Sequence, residues 1–520
     1  LFLVTILSVP AIQFAVEMRT PRTEVGLGTF NIFKPYPAWN RVRAARSPRD
    51  LWRLLPRAAV LKAAEKELET ESVVSQWLLP RVQLLLSAKL GAGSEQVYLG
   101  RDQWLFYRPD VDYVTGPPFL ESKLMTQRVH AARVQPDPVK AIVDFRDQLR
   151  ARHIDLIVMP VPMKPGVEAN KISLHAQPTE VLQNGSFAEF KSRLQQASVR
   201  VFDPTPLLVE QKAATAEPLY LETDTHWRPE TMELVAHNLA RSLHLEGESQ
   251  ALTLNTAIEI EGTGDIARML RLPSDEQAYK PQRVTIHQVT NREAPWRATA
   301  TADALVLGDS FANIYSLSAL GWGESAGLVE HLSYWAGSRP LDCILRNSDG
   351  AFATREILSR ELARGRDRLA GKKLVIWEFA ARELAFGDWK MIEMKLGQPV
   401  PAKFFVPKNG ESVTASGTVE GISNVPRPGS VPYKDHILAL HLTDLTVEGR
   451  AESAGLEAFV YAESMRDNAL NKAARLRPGD RVTLRLRPWS DVSDQYEKIN
   501  RSEIEDPAVQ LEEPSWGELK

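Results

Sequence analysis

Ala304-Leu305-Val306-Leu307-Gly308-Asp309-Ser310-Phe311 is the stretch on which the reading of this chain turns. Four consecutive apolar residues followed by a polar corner read as a buried strand. A strand that ends in Gly-Asp-Ser exposes the hydroxyl at the carboxyl edge of a sheet, where the sites of α/β proteins lie. Gly308 has no Cβ, so the backbone can turn sharply and a substrate can approach.

Upstream by 84 residues stands Asp224-Thr225-His226-Trp227. Residues two apart in an extended segment point the same way. A carboxylate at 224 can then accept the Nδ1 proton of the ring at 226 and leave Nε2 to deprotonate a serine. Serine, histidine and carboxylate are the groups of a serine acyl-transfer site, here Ser310, His226 and Asp224. Each also has a plainer reading. Arg228-Pro229-Glu230 begins a helix that Asp224 or His226 could cap, Trp227 could be packing alone, and Gly-Asp-Ser occurs in many turns.

Outward from these blocks, residues 136–385 alternate helices with apolar strands. Val139 to Arg152 reads as a helix, capped by Asp137 with Pro138 in its first turn. Ile154 to Met159 and Leu374 to Glu378 read as strands, and Pro229 to Leu245 as a helix after the Asp/His loop. The expectation is an α/β fold, a mostly parallel sheet flanked by helices. Near residue 396 the composition shifts. Val413–Ile422, His436–Leu442, Leu456–Tyr461 and Arg481–Arg487 read as strands, Glu463–Leu476 as a helix, and Asn500–Ile504 as a fifth strand. That order predicts a small OB-like β-barrel, a fold that binds oligosaccharides or serves as an interaction module.

Ahead of the α/β part, Leu1 to Val16 is apolar apart from Thr5, Ser8, Pro10 and Gln13, and reads as a signal anchor or signal remnant. Residues 20–40 read as a linker, and residues 48–90 as a helical hairpin packed on the catalytic part, with Ser47-Pro48-Arg49-Asp50 as its start. The expected division is 1–18 anchor or remnant, 19–95 linker and hairpin, 96–395 catalytic domain and 396–520 barrel.

Composition narrows the function. With 63 basic and 66 acidic residues among 520, the chain carries no basic excess for nucleic acid. Its single cysteine, Cys343, excludes an intrachain disulfide and argues against a cysteine metal site. No H-E-x-x-H is present, so neither metal nor cofactor is expected. Gly323-Glu324-Ser325-Ala326-Gly327 matches the G-x-S-x-G nucleophile elbow, but the preceding Ser316–Trp322 is not a buried strand. Gly262-Thr263-Gly264-Asp265 reads as a turn rather than a phosphate loop.

Gly-Asp-Ser-Phe and Asp-x-His resemble the blocks of SGNH (GDSL-type) hydrolases, with their usual order reversed. That reversal, with Asp-Thr-His-Trp, resembles the alginate O-acetyltransferase AlgX/AlgJ family of bacterial exopolysaccharide acetylation. Gly100-Arg101-Asp102-Gln103-Trp104-Leu105-Phe106-Tyr107, Leu156 to Lys164 and Trp377-Glu378-Phe379-Ala380-Ala381-Arg382 resemble further blocks of that family. The resemblance implies an SGNH-hydrolase-like domain that carries acetyl from an acyl-enzyme at Ser310 to a polysaccharide hydroxyl, with His226 as base and Asp224 orienting it. With the N-terminal segment as an inner-membrane anchor, the resemblance implies that the rest of the chain lies in the periplasm. The implied partners are a polysaccharide acceptor, a membrane-bound O-acyltransferase as acetyl donor, and other polysaccharide secretion proteins. A carbohydrate acetylesterase with the same triad is the alternative, and a non-catalytic polysaccharide-binding component of a secretion complex a third. For the oxyanion, the Ser310 amide is one donor and Arg339 or Asn347 a second. Lys164, Tyr107 and Arg382 either line the cleft or serve structure alone.

Overall fold

A computed structural model describes the chain except residues 1, 20–35, 38–41, 44–46, 57–60, 63–71, 178–179, 216, 246, 248–250, 256, 274–277, 293, 348–349, 399–400, 427–432, 452–454 and 505. It divides into two compact units, Leu1–Leu99 with Ile266–Lys280, and Gly100–Asp265 with Pro281–Lys520.

In the first unit, α1 (Phe2–Arg19), α2 (Pro48–Leu54) and α3 (Val73–Leu90) are helices of the N-terminal part. Ser47 caps α2 by accepting from the Asp50 amide at 3.2 Å. Gln13 of α1 accepts from the first amide of α3, Val73, at 2.8 Å. Most of the expected linker, and the middle of the expected hairpin, lie outside the described residues. The anchor expectation finds no support among the described helices. The 18 residues of α1 span about 27 Å, just short of a hydrocarbon core of about 30 Å. With Thr5, Ser8, Pro10, Gln13 and Glu17 in the sequence of α1, no described helix is long and apolar enough to cross a membrane.

The second unit holds the expected sheet. Five strands, β1 (Asp155–Val161), β2 (Arg200–Val201), β3 (Ala304–Gly308), β4 (Asp342–Leu345) and β5 (Leu374–Ala380), lie in the order β4-β3-β5-β1-β2. Every neighbouring pair is parallel. All residues of β3 and β5 are buried, as in a parallel sheet covered on both faces. Helix α4 (Pro138–Arg150) shows why the pattern was readable. Asp137 accepts from the Lys140 amide at 3.1 Å, Pro138 opens the first turn, and Ala141, Ile142, Phe145 and Leu149 face the core. Phe145 meets Trp377 of β5 edge-on at 5.6 Å.

Beyond the α/β core, β6 (Val413–Ile422), β7 (His436–Val447), β8 (Leu456–Arg466), β9 (Arg481–Pro488) and β10 (Pro514–Leu519) close a five-stranded barrel. The ring runs β6-β7-β8-β10-β9 and back to β6, with β8 and β10 parallel and the other pairs antiparallel. Val482, Leu484 and Leu486 alternate inward along β9.

Two expectations fail here. The fifth barrel strand is Pro514–Leu519, and Asn500–Arg501 only pairs with the start of β7. Val492, Tyr496, Ile504 and Val509 instead lay an apolar cover outside the barrel. There Tyr496, Ile504 and Val509 pack with Ile437, Ala439, Phe459 and Trp516. Glu463–Leu476 is not a helix either. Asp467 and Asn468, both at positive φ (50° and 61°), form a tight turn that sends Ala469–Leu470 back along Met465–Arg466. A short 3-10 turn at Ala473–Arg475 is the only helical part of that range.

Candidate active site

The loop that carries Asp224 and His226 is pinned as a narrow hairpin. Tyr220 and Trp227 bridge antiparallel, with Leu221 donating to the His226 carbonyl at 3.0 Å and Arg228 to the Leu219 carbonyl at 2.9 Å. Within it the two residues meet through a turn, not through an extended segment. The His226 amide donates to Asp224 Oδ1 at 3.1 Å, an Asx turn, and His226 Nδ1 lies 2.6 Å from the same oxygen. A carboxylate only accepts, so Nδ1 carries the proton. Asp224 Oδ2 accepts from the Trp322 indole at 2.8 Å and from the Asp265 amide at 2.9 Å. Asp224 therefore does not cap the helix that begins at Pro229.

Asp224 is fully buried and His226 is 5% exposed. Burial alone would raise the Asp224 carboxyl. The hydrogen bond and charge of His226, the Asp265 amide and the Trp322 indole outweigh it and hold the group well below the usual carboxylate range. Burial likewise opposes the His226 imidazolium, but the bond and charge of Asp224, then the charges of Asp265 and Asp309, raise its pKa above the ordinary value. His226 Nε2 is buried and accepts from no described group.

Ser310 opens α5 (Ser310–Asn313), a single turn directly after β3 at the carboxyl edge of the sheet, with its side chain half-buried. Asp309 caps that turn, Oδ1 accepting from the Phe311 amide at 2.8 Å and Oδ2 from the Ala380 amide at 2.8 Å. Its carboxylate is thus committed to backbone on the β5 side. The chain brings the two blocks together through the next residues. The Phe311 ring lies 4.8 Å from the His226 ring, and Trp227 Nε1 donates to the Phe311 carbonyl at 3.1 Å. Tyr315 donates to the Trp227 carbonyl at 2.6 Å.

Gly308 serves a different end from the one expected. Its φ is ordinary, but a Cβ there would meet Ala312 Cβ at 2.9 Å, Leu345 Cδ2 at 3.0 Å and Glu378 Oε2 at 3.0 Å. Glu378 of β5 is fully buried, accepts from the Asp309 amide at 2.8 Å through Oε2, and leaves Oε1 without a described partner. Burial, then the charge of Asp309, push its carboxyl far above the usual range.

The two oxyanion candidates part company. Asn347 follows β4, which pairs Leu345 with Gly308, so it sits at the same sheet edge as Ser310. Its Oδ1 accepts from Asn313 Nδ2 at 3.3 Å. Arg339 is corrected. It grips Asp303 at 2.7 and 3.1 Å, just before β3 begins. Five strand residues, about 16 Å, separate that end from Ser310.

Ser325 of the Gly-x-Ser-x-Gly stretch adopts φ 55°. It donates to the Val289 carbonyl at 2.9 Å and accepts from the Trp296 amide at 3.2 Å, with no strand before it. It is a structural serine.

Lys164 is fully buried beneath the Asp/His loop. Its ammonium donates to the carbonyls of Leu105, Glu222 (2.8 Å) and Asp224 (3.0 Å), over the rings of Trp104 and Phe106. Burial pulls its pKa down to about 7 against the pull of Asp224 and Asp265. Arg382, past the end of β5, pairs with buried Asp110 at 2.9 Å and covers the Tyr107 ring. Sequence reading missed Asp265, Trp322, Asp110 and the part played by Glu378. Asp265 did leave a signal, the Gly264-Asp265 corner read only as a turn. Asp224, His226 and Asp265 offer three grouped ligand atoms. All four of their carboxylate oxygens already accept N–H or O–H donors, so the cluster is a hydrogen-bonded relay rather than a metal cradle.

A family model described as an SGNH hydrolase-like domain, acetyltransferase AlgX, matches residues 97–381. A probable alginate O-acetylase AlgJ of Pseudomonas putida is 25% identical over 259 residues, 49% of this chain and 62% of the relative. Its counterpart in Pseudomonas syringae pv. tomato is 27% identical over 222 residues, 41% of this chain and 50% of the relative. The chain thus spans about half to three-fifths of the length of these relatives. Among solved structures, the O-acetyltransferase domain of P. putida AlgJ aligns at TM-score 0.41 and 21% identity, covering 56% of this chain and 92% of that one. Pseudomonas aeruginosa AlgX aligns at 0.39 and 14%, covering 75% and 91%. With the matched model spanning more than half of its length, the chain belongs to the AlgX family of SGNH hydrolase-like acetyltransferase domains.

Proposed function

We propose that this protein is a periplasmic O-acetyltransferase that moves acetyl groups onto exopolysaccharide hydroxyls through Ser310, His226 and Asp224. The observation that carries the proposal is the His226 ring. Its Nδ1 is held by Asp224, its Nε2 is unclaimed, and it lies against the ring of Phe311, the residue next to Ser310, at a tilt of 57°. In this reading His226 takes the Ser310 proton as the hydroxyl attacks an acetyl ester, and returns it to the departing group. The acetyl-Ser310 ester is then attacked by an acceptor hydroxyl, deprotonated by the same nitrogen, which regenerates Ser310. Asp224 keeps the tautomer and stabilises the imidazolium in both halves. The half-buried Ser310 and the raised pKa of His226 suit a base that works near neutral pH.

Relatives named as alginate O-acetylases make a uronate polymer the first acceptor to try. The acetyl donor in this scheme is a membrane-bound O-acyltransferase, and the OB-like barrel is a module for the polymer or for other secretion proteins. The test is incubation with a chromogenic acetyl ester, with and without uronate oligosaccharides, and mass spectrometry of both products. Acetylated oligosaccharide, and its loss in Ser310→Ala, are expected. Free acetate alone in every mixture makes the protein an acetylesterase. Undiminished turnover by Ser310→Ala overturns the assignment.

A further inference from the structure

We propose that Asp265 is a second carboxylate of this site, a positioning residue that fixes the Asp224–His226 turn by clamping Thr225. The inference rests on the reading of Ser310, His226 and Asp224 given above. Thr225 is the one residue between the carboxylate and the ring, so its backbone sets how they meet. Its amide donates to Asp265 Oδ1 at 2.8 Å and its hydroxyl to Asp265 Oδ2 at 2.8 Å. The Asp265 amide in turn donates to Asp224 Oδ2 at 2.9 Å. Asp265 therefore holds two adjacent residues of the loop through three bonds.

The corner that delivers Asp265 is built for close contact. The Gly264 amide donates to Thr223 Oγ1 at 3.3 Å, and a Cβ at 264 would stand 2.1 Å from the Thr223 carbonyl oxygen. Only glycine lets the 264–265 backbone lie against the 223–225 backbone. The Gly-Thr-Gly-Asp stretch is the seat of the catalytic loop.

Charge gives Asp265 a second effect. The groups facing His226 are Asp224, Asp265, Asp309 and Asp110; Lys164 and Arg382 are the cations beside those carboxylates. The Asp265 carboxylate stabilises the imidazolium across the turn, and its own pKa is raised by burial and by Asp224. Taking that charge away makes His226 a weaker base that loses its proton at lower pH.

The test compares pH–rate profiles on a small acetyl ester for the full chain, Asp265→Asn, Thr225→Val and Ser310→Ala. Asp265→Asn should lower kcat about 10- to 100-fold, leave KM near wild type, and move the acid limb of kcat/KM to lower pH. Thr225→Val, which removes one clamp bond and keeps the charge, should lower kcat while its acid limb stays in place. It keeps the proposal testable if Asp265→Asn does not fold. A wild-type acid limb in Asp265→Asn, or wild-type kcat in Thr225→Val, overturns the proposal while an inactive Ser310→Ala leaves the underlying mechanism standing. Activity in Ser310→Ala overturns that mechanism instead.

Discussion

Trp227 and Phe311 are joined twice. The indole Nε1 donates to the Phe311 carbonyl at 3.1 Å, and the two rings meet edge to face at 5.4 Å and 88°. Each is the immediate neighbour of a residue assigned to the chemistry, His226 and Ser310. Two blocks that lie 84 residues apart are thus stitched by the side chains that follow them. Trp227→Phe should keep the packing and lose the bond, leaving the buried Phe311 carbonyl unpaired at a cost of about 1–3 kcal/mol. We predict a fall in kcat of about tenfold with KM little changed, since the bond aims groups rather than binding substrate. Steady-state kinetics on a chromogenic ester decide it; wild-type kcat in a variant that has lost stability makes the bond purely structural.

Asp224 and Asp309 make a second comparison. Asp224 bonds the ring, while both oxygens of Asp309 cap backbone amides at Phe311 and Ala380. Asp224→Asn removes the charge that orients His226, and a fall in kcat on the order of 10⁴ is expected by analogy with serine proteases. Asp309→Asn keeps one acceptor oxygen, so its effect should fall mainly on melting temperature. If Asp309→Asn is the more damaging to kcat, the Asp-Thr-His assignment is wrong.

How much of this was legible depended on whether the signal was local. The buried strands β1, β3 and β5 are short apolar runs, and α4 carries its own cap and stripe, so both were readable. The pairing of Asp224 with His226 was also readable, though as an alternation along a strand and not as the Asx turn that makes it. Asp265 and Trp322 were not, because their tie to Asp224 forms only when segments 41 and 98 residues away fold onto it. Arg339 failed for the opposite reason. Its place in the sequence says nothing about which end of β3 it reaches, and an acidic partner at Asp303 took it to the far one. In the barrel, Asp467-Asn468 is a turn signal that the helix reading overrode, and strand-like Asn500–Ile504 serves as outer cover.

Lys164 carries three carbonyls from two segments, one of them the carbonyl of Asp224. Lys164→Met fills the space but takes the ammonium from the Leu105 and Asp224 carbonyls, while the Glu222 carbonyl keeps the Leu105 amide. We predict a loss of several kcal/mol of stability, from about 1–3 kcal/mol for each buried group left unpaired. Urea unfolding of the purified variant measures it, and a midpoint equal to wild type rules out a bearing role for the ammonium.

Glu378 gives the last prediction. It lies under the Gly308–Asp309 corner, accepting from the Asp309 amide, and its pKa is raised by burial and then by the charge of Asp309. The folded protein keeps the Glu378 proton at a pH where the unfolded chain, with its carboxyl near 4.5, has released it. Between those two values stability therefore falls as pH rises. Gln has no proton to lose and keeps an oxygen for the Asp309 amide. Glu378→Gln should melt at or above wild type at pH 8, the difference shrinking as pH falls towards 4.5. Glu378→Ala should melt well below both, because it empties a buried site and strands the Asp309 amide. Thermal melts of the three proteins from pH 4.5 to 8 separate the outcomes. If wild type gains on Glu378→Gln as pH rises, Glu378 is ionised in the fold and the corner beneath Ser310 carries a charge instead of a proton.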